Sequence, residues 1–213
     1  MANNSYFVNS HISAWDCGYR RRGSLWGRQT DDLPDVPGAT DVLELGCGNG
    51  KALPAMMHRQ WNVTAIDFSS EAVALCLRVP GASEIVHFIV ADACCLPFCD
   101  RSFDLVFAHH VVGHVLKEER ARMAYEAARV LREGGTLFFR GFSTGDMRSG
   151  KGIELEEHTY RRGDGTITHY FSEEEVRELF CMLTPVKVTR RNWPMRVRGS
   201  ILQRSAIEAN FSR

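Results

Sequence analysis

Glu44 is a carboxylate near the end of an otherwise apolar run, Val42-Leu43-Glu44-Leu45. That is a costly place for a charge unless it faces a ligand. Gly46, Gly48 and Gly50 follow at alternate positions, with Cys47 and Asn49 between them. Alternating glycines let the backbone turn tightly and approach a ligand with no side chain intervening. A helix starting near Lys51 directs unpaired backbone N–H groups into the same crevice. Asp67 closes a second run, Val63-Thr64-Ala65-Ile66. It stands about twenty residues beyond Gly46, the offset at which dinucleotide folds place a ribose-binding acid. A carboxylate there can accept hydrogen bonds from both ribose hydroxyls. Capping the next helix is the plainer role, but Ser69 and Ser70 are better caps. Asp92 follows a third run, Ile85 to Val90, and His109 and His110 end a fourth, Phe103 to Ala108. An imidazole suits proton removal near neutral pH, so His109 or His110 is a candidate general base. Lining a ligand site or packing is the plainer role for both.

These residues need a scaffold that gathers strand ends. The short apolar runs alternate with helical patterns at 51–59, 70–79 and 117–133, the arrangement of βαβ units and a parallel sheet. In such sheets ligands bind outside the carboxyl ends of the strands. A fifth strand is expected at 136–140 after Gly134-Gly135, which read as a helix stop. Ser172 with Glu173, Glu174 and Glu175 reads as the N-cap and acidic first turn of a last helix. Val186–Thr189 and Ala206–Phe211 supply a closing antiparallel pair. The expected fold is α/β: a doubly wound, seven-stranded, mostly parallel sheet with one antiparallel strand and helices on both faces.

The bulk numbers narrow the function. The chain has 213 residues, and Lys+Arg and Asp+Glu each count 26, so the net charge is zero. That balance argues against nonspecific nucleic-acid or membrane-surface binding as the main activity. No apolar run reaches membrane-spanning length and no signal-peptide pattern opens the chain, so a cytoplasmic protein is expected. The seven cysteines are odd in number and scattered, which points to free thiols. Cys94, Cys95 and Cys99 lack the paired spacing of a metal site, and no metal is expected.

The order Glu44-Leu45-Gly46-Cys47-Gly48-Asn49-Gly50, then Asp67, then Ala91-Asp92-Ala93 with Leu96-Pro97-Phe98, resembles the class I S-adenosylmethionine-dependent methyltransferases. Val130-Leu131-Arg132-Glu133-Gly134-Gly135-Thr136-Leu137 continues the likeness. The resemblance implies S-adenosylmethionine as cofactor and S-adenosylhomocysteine as product. It implies cofactor contacts from Glu44, Gly46, Cys47, Gly48, Asp67, Phe68, Asp92, Ala93 and His109. In that family the acid after the third strand meets the adenine amino group.

Two further segments bear on the acceptor. Residues 1–40 carry Trp15, Tyr19, Arg20, Arg21, Arg22, Trp26 and Arg28, and are expected to form a lid over the domain at 41–213. Aromatics interleaved with arginines can also stack on a base or clamp an anion. Residues 141–171 are polar and glycine-rich, as functional insertions are. Within the resemblance they are the substrate-specific insertion. Tyr160, Arg161, Arg162, His169 and Tyr170 are substrate candidates there, beside Trp15, Tyr19 and Trp26; a solvated hairpin at Gly163-Asp164-Gly165 is the plainer reading. Arg190, Arg191, Arg196 and Arg198 are expected in solvent, with anion binding as their alternative role. The expected function is methyl transfer to a small-molecule acceptor, with nucleic acid less favoured and the protein a monomer or homodimer. A tRNA methyltransferase of the wobble-uridine type and a non-catalytic cofactor-binding partner are the alternatives.

Overall fold

The computed structural model describes residues 13–21, 33–36 and 40–213. Residues 13–21 are helical (α1). Then come β1 (Asp41–Leu45), α2 (Leu53–His58), β2 (Asn62–Asp67), α3 (Ser70–Cys76), the single-turn α4 (Ala82–Ile85) and β3 (Val86–Val90). β4 (Phe103–His109), α5 (Lys117–Val130) and β5 (Leu131–Phe142) complete the parallel part. The remaining elements are β6 (Ile153–Glu156), β7 (Thr159–Arg161), β8 (Ile167–His169), α6 (Glu173–Leu179), β9 (Thr184–Val197) and β10 (Ser200–Ser212).

Seven strands form one sheet in the order β3-β2-β1-β4-β5-β10-β9. β1 to β5 pair in parallel, and β10 runs antiparallel to both neighbours, so it alone is reversed. The strand order changes direction between β1 and β4, which opens a crevice above their carboxyl ends. Alternation on β1 assigns its side chains to two cores. Leu43 and Leu45 pack with Met123, Ala124 and Ala127 of α5, and Val42 packs with Leu53 and Met56 of α2.

Local chemistry sets the helix ends. Ser69 Oγ accepts from Ala72 N at 3.1 Å and Ser172 Oγ from Glu175 N at 3.0 Å, caps that contribute about 1 kcal/mol each. Helix α5 stops at Val130, short of the expected Glu133. The Arg213 guanidinium donates to the carbonyls of Ala128, Arg129 and Leu131 at 2.5, 2.8 and 2.7 Å. Those bonds satisfy the carbonyls that another helical turn would have used. Gly134 and Gly135 instead exchange backbone bonds with Arg213.

Two regions are more ordered than their sequence suggested. Residues 153–169 form a separate three-stranded sheet, β6-β7-β8, with a turn over 162–166. The terminal hairpin is far longer than the expected Val186–Thr189 and Ala206–Phe211, running, with one register shift between Asn210 and Phe211, to a two-residue turn at Arg198 (φ 47°) and Gly199 (φ 86°). Pro194 argues against a strand in a central position but is accepted in β9, which lies at the sheet edge.

Candidate active site

A cavity of about 630 Å³ opens above the carboxyl ends of β1, β2 and β4. Glu44, Gly46, Cys47, Gly48, Asp67, Phe68, Asp92, Ala93, His109 and His110 all line it. The loop geometry requires glycine: at Gly46 (φ +67°) a Cβ would fall 2.6 Å from Val111 Cγ2, and at Gly48 (φ +55°) 3.0 Å from the Tyr19 hydroxyl. Asp67 holds the loop from the neighbouring strand. Its Oδ2 accepts from Gly48 N and its Oδ1 from Ser69 N, both at 2.9 Å. Asp92 Oδ1 accepts from Cys94 N at 2.8 Å.

Glu44 is 8 % exposed, and its Oε2 is buried without a hydrogen-bond partner among the described residues. Burial, with a smaller push from Asp67, raises its carboxyl to about 8. Burial raises Asp67 to about 6, against the opposing N–H donors of Ser69 and Gly48. Both folded values exceed the ordinary carboxylate range, so folding favours the protonated forms. Their contribution to stability is complete below about pH 4 and is lost as the pH rises through 6 and then 8. The melting temperature of the cofactor-free protein is therefore expected to fall by roughly 5 °C or more between pH 5 and 8.5. Glu44→Gln should flatten the upper part of that curve in a thermal melt series, and an unchanged slope would refute the assignment.

Helix α1 lies against the cofactor loop. Trp15 and Tyr19 are buried, stack at 5.8 Å between ring centroids and line the cavity. Arg20 points outward to Glu71 at 2.7 Å. Trp26, Arg22 and Arg28 lie outside the described residues.

The other end of the cavity is built by β5 and the long hairpin. Arg191, Trp193 and Met195 alternate on β9, facing Arg204, Ala206 and Glu208, which alternate on β10. Arg140 and Arg191 hold Glu208 at 3.0 and 3.4 Å. Arg148 and Arg204 lie over the Phe142 ring at 4.1 and 5.0 Å, and Arg204 also lies 5.5 Å from the Trp193 ring. Asp146 joins the two arginines, at 2.6 Å from Arg204 Nε and 3.1 Å from Arg148 Nε. Of this group, the sequence reading flagged Arg191 only as an alternative anion binder, and Arg148 and Asp146 only as members of a polar stretch. It missed Arg140, Phe142, Trp193, Met195, Arg204 and Glu208. The period-two pattern of Arg191, Trp193 and Met195 was the available signal, and Pro194 obscured it.

His109 and His110 reach the cavity but are ill suited to proton removal. Burial, reinforced by Arg140, lowers the His109 conjugate acid to about 3, and burial with His109 and Arg140 also depresses His110. An imidazole with so low a value takes up a proton weakly near neutral pH.

The insertion departs from expectation. Tyr160, Arg161 and His169 line neither this cavity nor a second one beside it. His169 is 2 % exposed and sits between Thr159 Oγ1 and Glu175 Oε1, each 2.7 Å away. Tyr160 packs toward Tyr170, with ring centroids 6.0 Å apart. Because side chains alternate across a strand, Arg161 takes the face opposite its neighbour. Of the substrate candidates in the insertion, Arg162 lines that second cavity, together with Arg148 and Arg21.

Residues 43–139 match the family model described as a methyltransferase domain. A tRNA N(3)-cytidine methyltransferase of Danio rerio is 30% identical over 162 residues, covering 70% of this chain and 46% of the relative. A tRNA N(3)-methylcytidine methyltransferase of Drosophila melanogaster is 30% identical over 186 residues, covering 80% of this chain and 57% of the relative. The chain thus spans about half the length of these two relatives. Among solved structures, an S-adenosylmethionine-dependent methyltransferase of Methanosarcina mazei superposes with a TM-score of 0.64 at 26% identity, covering 82% of this chain and 93% of that one. A Burkholderia thailandensis 1,6-didemethyltoxoflavin-N1-methyltransferase, solved with 1,6-didemethyltoxoflavin and S-adenosylhomocysteine, shares the fold at a TM-score of 0.60 and 18% identity, covering 98% of this chain and 87% of that one. The tRNA relatives overturn the expectation that a small molecule is the favoured acceptor and nucleic acid the less favoured one. Net charge averages over the whole chain and does not register arginines gathered at one site.

Proposed function

This chain carries a class I S-adenosylmethionine-dependent methyltransferase domain, and from that premise we propose that it methylates N3 of a cytosine in tRNA. The observation that carries the reading is the reach of the likeness. The match to the Drosophila melanogaster tRNA enzyme covers 80% of the chain, whereas the family model covers only 43–139. The likeness therefore extends well beyond the segment that builds the cofactor end.

The residues present fit the cofactor. The glycine loop leaves room for a ligand against the backbone, and Glu44 offers a buried carboxylate oxygen without a partner, suited to a cationic group. Gly46, Cys47 and Gly48 would hold the methionine end, Asp67 the ribose, and Phe68, Asp92 and Ala93 the adenine. When bound, S-adenosylmethionine supplies a methyl group to the cytosine N3 lone pair, as the carbon–sulfur bond breaks with its electrons going to sulfur. Cytosine N3 carries no proton, so no base is required at this step. That agrees with histidines whose burial makes them poor proton acceptors.

The chain contributes orientation, which can account for most of the acceleration. Trp193, 36% exposed, and the Arg204 guanidinium beside it offer flat surfaces for a base. Glu208 accepts from an exocyclic amino group, whereas uracil would present a carbonyl oxygen to the same carboxylate.

Incubation of the protein with methyl-labelled S-adenosylmethionine and tRNA, followed by nuclease digestion and mass spectrometry, is expected to yield 3-methylcytidine. Label confined to methyluridine, or absent from RNA while small molecules are labelled, would overturn the assignment.

A further inference from the structure

A second cavity of about 340 Å³ adjoins the first and shares Trp15, His114 and Phe142 with it. We propose that this cavity binds the phosphodiester flanking the target nucleotide, an inference that rests on the tRNA reading above. Its charge is the first argument. Arg21 from α1, Arg148 from the segment after β5 and Arg162 from the β7–β8 turn converge on it. They come from three separate parts of the chain, so helix or strand periodicity does not bring them together. The carboxylate lining it, Asp164, is engaged in its own turn, accepting from Thr166 N at 3.2 Å and Thr166 Oγ1 at 2.7 Å.

Geometry is the second argument. Arg162 Nη1 donates to the Tyr170 hydroxyl at 3.1 Å, which fixes the guanidinium while its other N–H groups remain. Arg148 is braced by Asp146 at 3.1 Å and stacked on Phe142 at 4.1 Å. A planar donor held this way loses little freedom on binding an anion, and arginine suits phosphate oxygens bidentately.

Continuity is the third. Phe142 lines both the acceptor pocket and the second cavity. A base seated against Trp193 and Arg204 carries its backbone past Phe142, where the next phosphate meets these arginines. The site would read no sequence; it would fix the strand so that the base enters in one orientation. The insertion thus serves substrate binding through Arg162, not through Tyr160, Arg161 or His169.

The test uses fluorescently labelled tRNA, with anisotropy measured across a salt series. Arg21→Gln/Arg162→Gln is expected to weaken binding about tenfold at low salt. It should also lower the slope of log affinity against log salt by about 0.7, the one phosphate contact on a single strand. S-adenosylmethionine affinity and melting temperature should stay at wild-type values. Arg78→Gln/Lys187→Gln, which removes the same charge from exposed positions elsewhere, should leave the slope unchanged. An unaltered slope in the Arg21/Arg162 variant, or an equal loss in both variants, would overturn the phosphate site even if wild type makes 3-methylcytidine. A selective loss of slope supports it whichever base the mass spectrometer finds methylated, so the two readings fail separately.

Discussion

Asp67→Ala weakens S-adenosylmethionine binding by about a hundredfold or more in isothermal calorimetry. The side chain does two things at once. It accepts from Gly48 N and Ser69 N at 2.9 Å each, which fixes the glycine loop against the end of β2. Its oxygens retain lone pairs for ribose hydroxyls. Hydrogen bonds to a charged group contribute about 1.5–3 kcal/mol each, and a hundredfold loss corresponds to about 2.7 kcal/mol. Asp67→Asn keeps one acceptor oxygen and turns an amide toward the other N–H, so its affinity falls between the two. A melt of the cofactor-free variant separates a loss of binding from a loss of fold. Undiminished binding by a folded Asp67→Ala protein would remove Asp67 from the cofactor site.

Asp146→Ala is the variant expected to cost the most stability. The carboxylate is fully buried and accepts from Arg204 Nε at 2.6 Å, Ser205 N at 3.1 Å and the Arg148 backbone N–H at 3.0 Å. Burial pushes its acidity one way, but the Arg204 bond, helped by Ser205 and Arg148, outweighs it and holds the carboxyl below its usual range. Removing it leaves two arginines over Phe142 without their shared counter-charge. Breaking a buried ion pair from one side costs about 3–5 kcal/mol, or roughly 6–20 °C in melting temperature for a chain of this size. Methyl transfer should fall at least about a hundredfold, since a small displacement of positioning groups has that effect. Cofactor affinity should stay within about threefold, because the Asp67 end of the cavity is built on other strands. A melting temperature within a degree or two of wild type would show that the two arginines find other partners.

The cofactor half was legible because its signals are local. Val42-Leu43-Glu44-Leu45 and the glycines after it lie in one stretch, and Asp67 and Asp92 each follow their strands directly. The acceptor half was legible only in part. Pro194 and the charged residues around it hid a strand that is tolerated because it lies at the sheet edge, where one side needs no partner. Tyr160 and Arg161 looked equivalent to Arg162 in sequence, but those two are paired within β7 whereas Arg162 opens the turn over 162–166, and only the placing of that turn decides which arginine meets the cavity.

The sequence by itself determined the strand–helix alternation, the glycine loop, the acids at the strand ends and the caps of the helices. Each depends on residues within a few positions of one another, so backbone preference and hydrophobic period suffice. Tertiary structure alone decided that Arg148 and Arg204 share Asp146 and Phe142, that Glu208 faces Arg140, and that Arg21 and Arg162 line one cavity. These groups are distant in the chain. Sheet order, hairpin length and burial bring them together, and burial also sets the protonation of Glu44 and His109.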